Sequence, residues 1–336
     1  MSTDSTLILI QRTITRYVFP LILGLGNVGN LCLMGIYLQK KFRTNPCAIY
    51  LIASSFFCLM GANWSMIPLI YSLDNYDLVN NSLVFCRIRG YILQTCAQCF
   101  RYILVLRCAD RYALANNRVS IRALSRPQIA YRATVVIIGI WSVLSIQLLI
   151  WETIENGRCG VYGLFGQIFI SYLTIFGAIL PLLLVTILGI LLMNNLHKLH
   201  TRIDAINSSH RLNKRETSLM RLVLAEVIVY IMCTFMFPIM QIYYQITTST
   251  SMNKSNEQKQ IESFLNFISQ SLLSYLNYNT TFYIYIITSK SFRNEIKQIV
   301  VKCIQKLKKN TTTHETGLVP VGRRQTEQQP HIITVV

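Results

Sequence analysis

Charge is scarce in this 336-residue sequence: Asp, Glu, Lys and Arg together make up 14%, against 52% hydrophobic residues. A soluble domain carries about 25% charged residues, and a soluble chain this apolar would have to bury more surface than one or two ordinary cores hold. Acidic residues are scarcer still, 14 against 32 Lys and Arg, which leaves a formal net charge of +18. With 15 Gly and 8 Pro, the chain is neither collagen-like nor of low complexity. No basic segment precedes the first apolar run, so no cleaved signal peptide is expected. Nor is there a metal-ligand cluster, a phosphate-cradling loop or a nucleophile–base pair, so no enzyme activity, metal or cofactor is expected. Aromatic residues, by contrast, are plentiful, and 18 Tyr and 15 Phe could not stay solvated in a disordered chain. The remaining class is a membrane protein.

A bilayer core about 30 Å thick needs about 20 predominantly apolar residues in a helix. Seven such runs lie near 17–38, 46–71, 84–112, 133–151, 166–193, 218–244 and 262–287. The fourth and fifth are almost free of charge. The third carries Arg101 and Arg107, and the seventh is rich in Ser, Asn and Tyr. Helices that polar belong inside a bundle, away from lipid. The expected fold is an all-α membrane bundle of seven helices over 17–287. A short N-terminal segment (1–16) precedes it, and an amphipathic eighth helix (288–309) and a disordered tail (310–336) follow.

Basic residues concentrate after runs one, three and five and in the tail, as in Lys40, Lys41 and Arg43, Arg118 to Arg132, Lys198 to Arg221, and Lys290 to Arg324. On the opposite side Arg87, Arg89 and Arg158 are balanced by residues such as Asp74, Asp77, Glu152 and Glu155. The positive-inside rule then places the N-terminus outside and the tail in the cytoplasm. The basic residues flank spans, where anionic lipid lies, and do not form a nucleic-acid surface. Of 10 Cys, only Cys86 and Cys159 fall on the outer, oxidising side. They are expected to be bonded, the alternative being two free thiols. In the chain-entropy model such a bond contributes roughly 4–5 kcal/mol.

At the inner end of the third run stands Asp110-Arg111-Tyr112, with Arg111 25 residues beyond Cys86. In register with it are Gly29-Asn30, Trp141, Pro181, Pro238, Tyr285 and Phe292-Arg293, one landmark after another along the chain. Together these resemble the rhodopsin-like G-protein-coupled receptors over roughly residues 17–310. The resemblance implies a plasma-membrane receptor that senses an extracellular ligand and activates a heterotrimeric G protein through Asp110, Arg111, Tyr112 and Tyr285, with arrestin as a further partner. The chemistry agrees: Asp110 can hold the permanently charged Arg111 at rest and release it to a partner.

Several family positions depart from the pattern. The mid-membrane Asp of span two is replaced by Cys58, the Trp before the span-six proline by Met236, and the Asn-Pro of span seven by Thr281-Phe282. The inner tyrosine of span five falls on Gly189 and the span-six acid on Ser218. A thiol cannot offer a carboxylate to sodium, and the usual activation contacts are missing. Two readings compete with a G-protein-activating receptor: a chemosensory seven-span protein that lost this coupling, and a transporter or channel, for which no internal repeat or paired interrupted helices speak. Arg107 and Glu226 lie at comparable depth, so an ion pair between them would offset two costly charges. Glu226 could instead face water. Arg101 has no acidic partner in the sequence.

For the ligand, Leu93 stands where amine receptors have an Asp and Tyr275 where opsins have a Lys, which excludes both classes. The expected pocket is Tyr91, Gln94, Gln98, Gln241, Tyr244, Phe264, Asn266 and Gln270, with amides, phenols and no fixed charge. That chemistry fits a peptide, and an amidated terminus would suit it. Phe282-Tyr283-x-Tyr285 ahead of Ser289-x-x-Phe292-Arg293 resembles invertebrate neuropeptide receptors of the FMRFamide-responsive kind. In the eighth helix, lysines oppose an apolar face that rests on membrane lipid, and Cys303 is a candidate palmitoylation site. Thr334-Val335-Val336 fits a PDZ-protein ligand. Asn80 and Asn253 are the usable glycosylation sequons.

Overall fold

The computed structural model describes residues 3–42, 44–116, 118–203, 214–247, 254–290, 292–299, 301 and 305. Caps and prolines decide where its helices begin. α1 starts at Thr3 and runs as Thr3–Thr13, a π-helical stretch Ile14–Val18, and Phe19–Tyr37. α2 (Pro46–Tyr71) opens on Pro46, with the Asn45 side chain accepting from Cys47 N at 2.9 Å. α3 (Leu83–Ala115) is capped by Ser82, and α4 (Pro127–Trp151) again opens on a proline. α5 consists of Gly163–Tyr172, a π stretch Leu173–Ile179, and Leu180–Ile203. α6 joins Lys214–Thr234 to Met236–Thr247 across Phe235. There Pro238 has no N–H to give the Thr234 carbonyl. α7 is made of Asn256–Asn266, a π stretch Phe267–Leu272, Leu273–Asn279 and, past Thr280, Thr281–Thr288.

Residues 3–16, read from the sequence as a short flanking segment, are the first turns of α1. The physical reason is that nothing between Thr3 and Pro20 stops a helix, and the π stretch absorbs the proline.

Among the described residues α1, α2, α4, α5 and α6 are long and apolar enough to cross a membrane. They turn large apolar side chains outward, among them Leu21, Leu31, Val136, Val143, Ile187 and Met232. α3 and α7 do not reach that composition, and α3 compensates by position. It packs on α2, α4, α5 and α6, with buried residues spaced all round its circumference from Gln94 to Arg111. Lipid-facing apolar helices thus surround a polar central one.

Small residues bring α1 against α7. A Cβ at Gly26 would fall 1.8 Å from Asn279 Oδ1, and one at Gly29 would lie 3.0 Å from the Phe282 Cβ. Asn30 donates to the Tyr278 carbonyl at 3.2 Å, and Phe19, Met66 and Tyr275 share a buried cluster. Between α4 and α5, β1 (Thr153–Glu155) pairs antiparallel with β2 (Arg158–Gly160). Asn156 (φ 50°) and Gly157 (φ 69°) make the two-residue turn, which needs left-handed backbone at both positions.

The chain divides into two units, Met1–Arg293 and Asn294–Val336. At the end of the first, Phe292 is buried against the rings of Tyr37, Phe282 and Tyr285. In the second, residues 294–299, 301 and 305 are helical. Asn253, Cys303, Thr334, Val336 and the 310–336 tail lie outside the described residues.

Candidate functional site

Two clusters of polar side chains sit at opposite ends of α3. At one end a disulfide joins Cys86 to Cys159 and fixes the β-hairpin to the start of the helix. Arg87 Nε adds a bond to the Glu152 carbonyl at 2.8 Å, and the Cys159 N–H donates to Asn80 Oδ1 at 2.8 Å. The same asparagine's Nδ2 donates to Asp77 at 2.7 Å, so both ends of the Asn80 amide are engaged.

Beneath the hairpin lies a cavity of about 390 Å³, lined by Leu93, Gln94, Ala97 and Arg101 of α3 with residues of α2, α5, α6 and α7, including Gln270, Tyr275 and Tyr278. Besides its phenols it holds one basic and one acidic side chain, Arg101 and Glu152. The Glu152 carboxylate rests on the backbone of Gly90, where a Cβ would fall 1.8 Å from Oε2, so only glycine leaves room for it. Burial raises the Glu152 pKa to about 7, while Arg89 and Arg87 pull it back. Arg101, 9% exposed, donates from Nη1 to the Gly177 carbonyl at 2.8 Å, and its guanidinium lies 5.7 Å from the centre of the Phe237 ring. Among the described residues no carboxylate pairs with it. Gln94 Nε2 and both polar atoms of the Gln98 amide are buried without a partner.

At the other end of α3, Arg111 donates to Asp110 Oδ2 from Nε at 2.9 Å and from Nη2 at 2.5 Å, and its Nη2 lies 3.4 Å from Asn45 Oδ1. Ser125 Oγ donates to the other Asp110 oxygen at 2.7 Å. Both charges are buried. One turn further into the bundle Arg107 forms an ion pair with Glu226 of α6, the two being 0% and 4% exposed. Of the two environments open to Glu226, water or an arginine, the structure has the arginine. The Glu226 carboxylate also accepts from Thr281 Oγ1 and Tyr285 Oη of α7, each at 3.3 Å. α3, α6 and α7 therefore meet at one carboxylate. Near it Ser218 bonds Ser289 at 3.1 Å, and Gly189 lets α5 approach Val227 of α6 to 3.1 Å from its own missing Cβ.

The sequence profile described as 7 transmembrane receptor (rhodopsin family) matches residues 29–278, from Gly29-Asn30 in α1 to Tyr278 in α7. The chain belongs to the rhodopsin family. It is thus a multi-pass membrane receptor. A search of curated proteins finds no match.

Within the receptor the side chains expected to form a pocket scatter. Gln94 and Gln270 line the cavity. Gln98 and Gln241 are buried, and Tyr244 donates to the Glu262 carbonyl at 2.9 Å. With Tyr91, Phe264 and Asn266 they are not among the cavity's lining. The cavity is lined in addition by Arg101 and Glu152, neither of which is among the residues expected to form a pocket. The signal available in the sequence for Arg101 was an arginine with no acidic partner in the middle of a span. Cys58, at the position of the missing Asp, is buried.

Proposed function

We propose that this receptor places its disulfide end outside the cell, binds a peptide there, and activates a heterotrimeric G protein at its Arg111 end. The observation that carries this reading is the buried Asp110–Arg111 pair at the end of α3. A guanidinium fork held by a carboxylate one residue away is a resting state with a permanent charge in reserve. Separation of the helix ends would release it to the backbone carbonyls of an inserted partner helix. The basic residues that follow α1, α3 and α5 in the sequence support this orientation, and the cavity under the hairpin supports ligand entry from the opposite side. A peptide fits that cavity because amides, phenols, one basic and one acidic side chain line it.

The test is nucleotide exchange on a panel of G proteins in membranes carrying the receptor, with neuropeptide fractions added. Exchange is expected to rise with a fraction and to fall when Arg111 is replaced by Ala. Equal exchange in the R111A variant would sink the assignment of Arg111. Silence across the panel, with normal surface expression, would favour a seven-span sensor without this coupling.

A further inference from the structure

The structure carries an inference about which part of a ligand goes where, and it rests on the peptide-receptor reading above. We infer that the cavity takes a peptide through an anionic group, a carboxylate seated on Arg101 at its deep end, with the peptide's cationic group facing Glu152 near the hairpin.

At the deep end of the cavity stands an unmet charge. Arg101 is permanently ionised and 9% exposed. Its partners are one carbonyl, Gly177, and the face of Phe237, dipole and quadrupole contacts that leave a full positive charge in a poorly solvated place. A guanidinium fork is the side chain best shaped for a carboxylate. Gln94, Gln98 and Arg101 stand at i, i+4 and i+7 of one helix, a spacing that aligns them on a single stripe. The buried, unpartnered amide atoms of Gln94 and Gln98 are therefore hydrogen-bonding groups beside the same charge. Gly177 makes room for the Gln98 amide next to the guanidinium, since a Cβ there would meet Gln98 Nε2 at 2.5 Å and Arg101 Nη1 at 3.5 Å. At the other end the Glu152 carboxylate lies on Gly90, with Oε2 buried and unpartnered. Eleven residues of α3, from Gly90 to Arg101, rise about 16 Å. About five extended peptide residues span that length.

The test needs no G protein, so its failure is separate from a failure of coupling. The full-length receptor, purified in detergent, is melted with a set of pentapeptides of varied sequence, each made as the free acid, as the C-terminal amide, and as an amide carrying Glu at its last position. Free acids are expected to raise the melting temperature where their amide twins do not. Dose–response should show an affinity gap of about tenfold to a hundredfold, the size of a charge-assisted hydrogen bond. Stabilisation by the Glu-bearing amides as well would place a side-chain carboxylate on Arg101 and still support the anion site. Arg101→Gln should erase the gap, Arg101→Lys should keep part of it, and Gln94→Leu should narrow it. Without any peptide, Arg101→Gln is expected to melt at or above the wild-type temperature, because it removes an unpaired charge. A lower melting temperature, or failure to fold, would mean that Arg101 is a structural residue and overturn the inference. Equal shifts from acids and amides, or none from any acid, would overturn it too.

Discussion

Glu226 is where three helices can be separated by one substitution. Its carboxylate meets Arg107 of α3 and Thr281 and Tyr285 of α7. Replacing it with Gln leaves the Arg107 guanidinium, 0% exposed, without a counter-charge. Two of the Arg107 nitrogens, Nε and Nη1, already have no partner, so little is at hand to compensate. Breaking a buried pair in this way costs about 3–5 kcal/mol, whereas replacing both members by apolar residues of similar size is often neutral or stabilising by about 1–4 kcal/mol. Glu226→Leu, which removes the counter-charge as Gln does, and Arg107→Met should therefore each lower the melting temperature of the purified receptor, and the double variant Arg107→Met with Glu226→Leu should restore most of it. The pair also spans the ends that must part if Arg111 is to be released, so basal nucleotide exchange should rise in the single variants. About 1.4 kcal/mol of lost resting-state stability is a tenfold change in that equilibrium. All four proteins are melted in one detergent at one scan rate, and exchange is measured in matched membranes. A double variant whose loss equals the sum of the two singles would refute the reasoning, because independent sites add and a charge pair does not.

Two further outcomes follow from the disulfide end and from the α1–α7 contact. Glu152 has a folded-state pKa of about 7 against an ordinary value of 4.5, with burial the largest cause and Arg89 and Arg87 opposing it. The fold thus favours the protonated form, and the stability that this proton contributes is complete below about 4.5 and lost as pH rises through about 7. Melting temperature should fall over that range, and Glu152→Gln should flatten the profile; an unchanged profile would mean that other groups set it. Gly26→Ala should cost about 1–3 kcal/mol by overpacking, since the new methyl would fall on the Asn279 amide. Gly24→Ala, where a Cβ meets nothing within 4 Å, should be neutral or stabilising by about 1 kcal/mol, as read by paired thermal melts.

Much of the fold was legible because hydropathy and helix length are local properties. α4 and α5 announce themselves as uncharged runs, and the polar content of α3 and α7 correctly placed them inside the bundle. The Cys86–Cys159 bond followed from sorting cysteines by side. The candidate pocket was legible only in part, for a geometric reason. Projection onto an ideal helix assumes 3.6 residues per turn, but α5 and α7 each contain a π-helical stretch, Leu173–Ile179 and Phe267–Leu272. Gln270 falls inside the second stretch and lines the cavity, whereas Phe264 and Asn266 precede that stretch and do not. Arg101 escaped for another reason. A search for opposite charges finds no partner, because its contacts are a backbone carbonyl and a ring on other helices, which no sequence spacing encodes. Glu152, at the end of a span, reads as one more acid balancing nearby arginines.

The three buried arginines of α3 differ in what neutralises them, and that difference orders the energetics along the helix. Arg111 is held by its own neighbour Asp110 on α3, whose other oxygen accepts from Ser125 beyond the helix. Arg107 is held by Glu226 on α6, so an outward movement of α6 exposes a charge pair that must then be solvated or re-paired. Arg101 has a carbonyl from α5 and a ring from α6 in place of a carboxylate. Opening the Arg111 end therefore costs most at Arg107. A ligand can shift that equilibrium only by its differential affinity for the two states. The aromatic ladder between the two levels supplies the physical connection: Tyr278 lines the cavity and packs edge-on against Phe100 at 5.2 Å, and Phe100 contacts Tyr230 of α6 at 6.4 Å. Tyr230 is one helical turn from Glu226. On the proposed reading, a ligand that displaces Tyr278 would act on the helix that carries the Glu226 carboxylate. Where the family has Asn-Pro, this chain has Thr281-Phe282, and Thr281 and Tyr285 bind Glu226 directly.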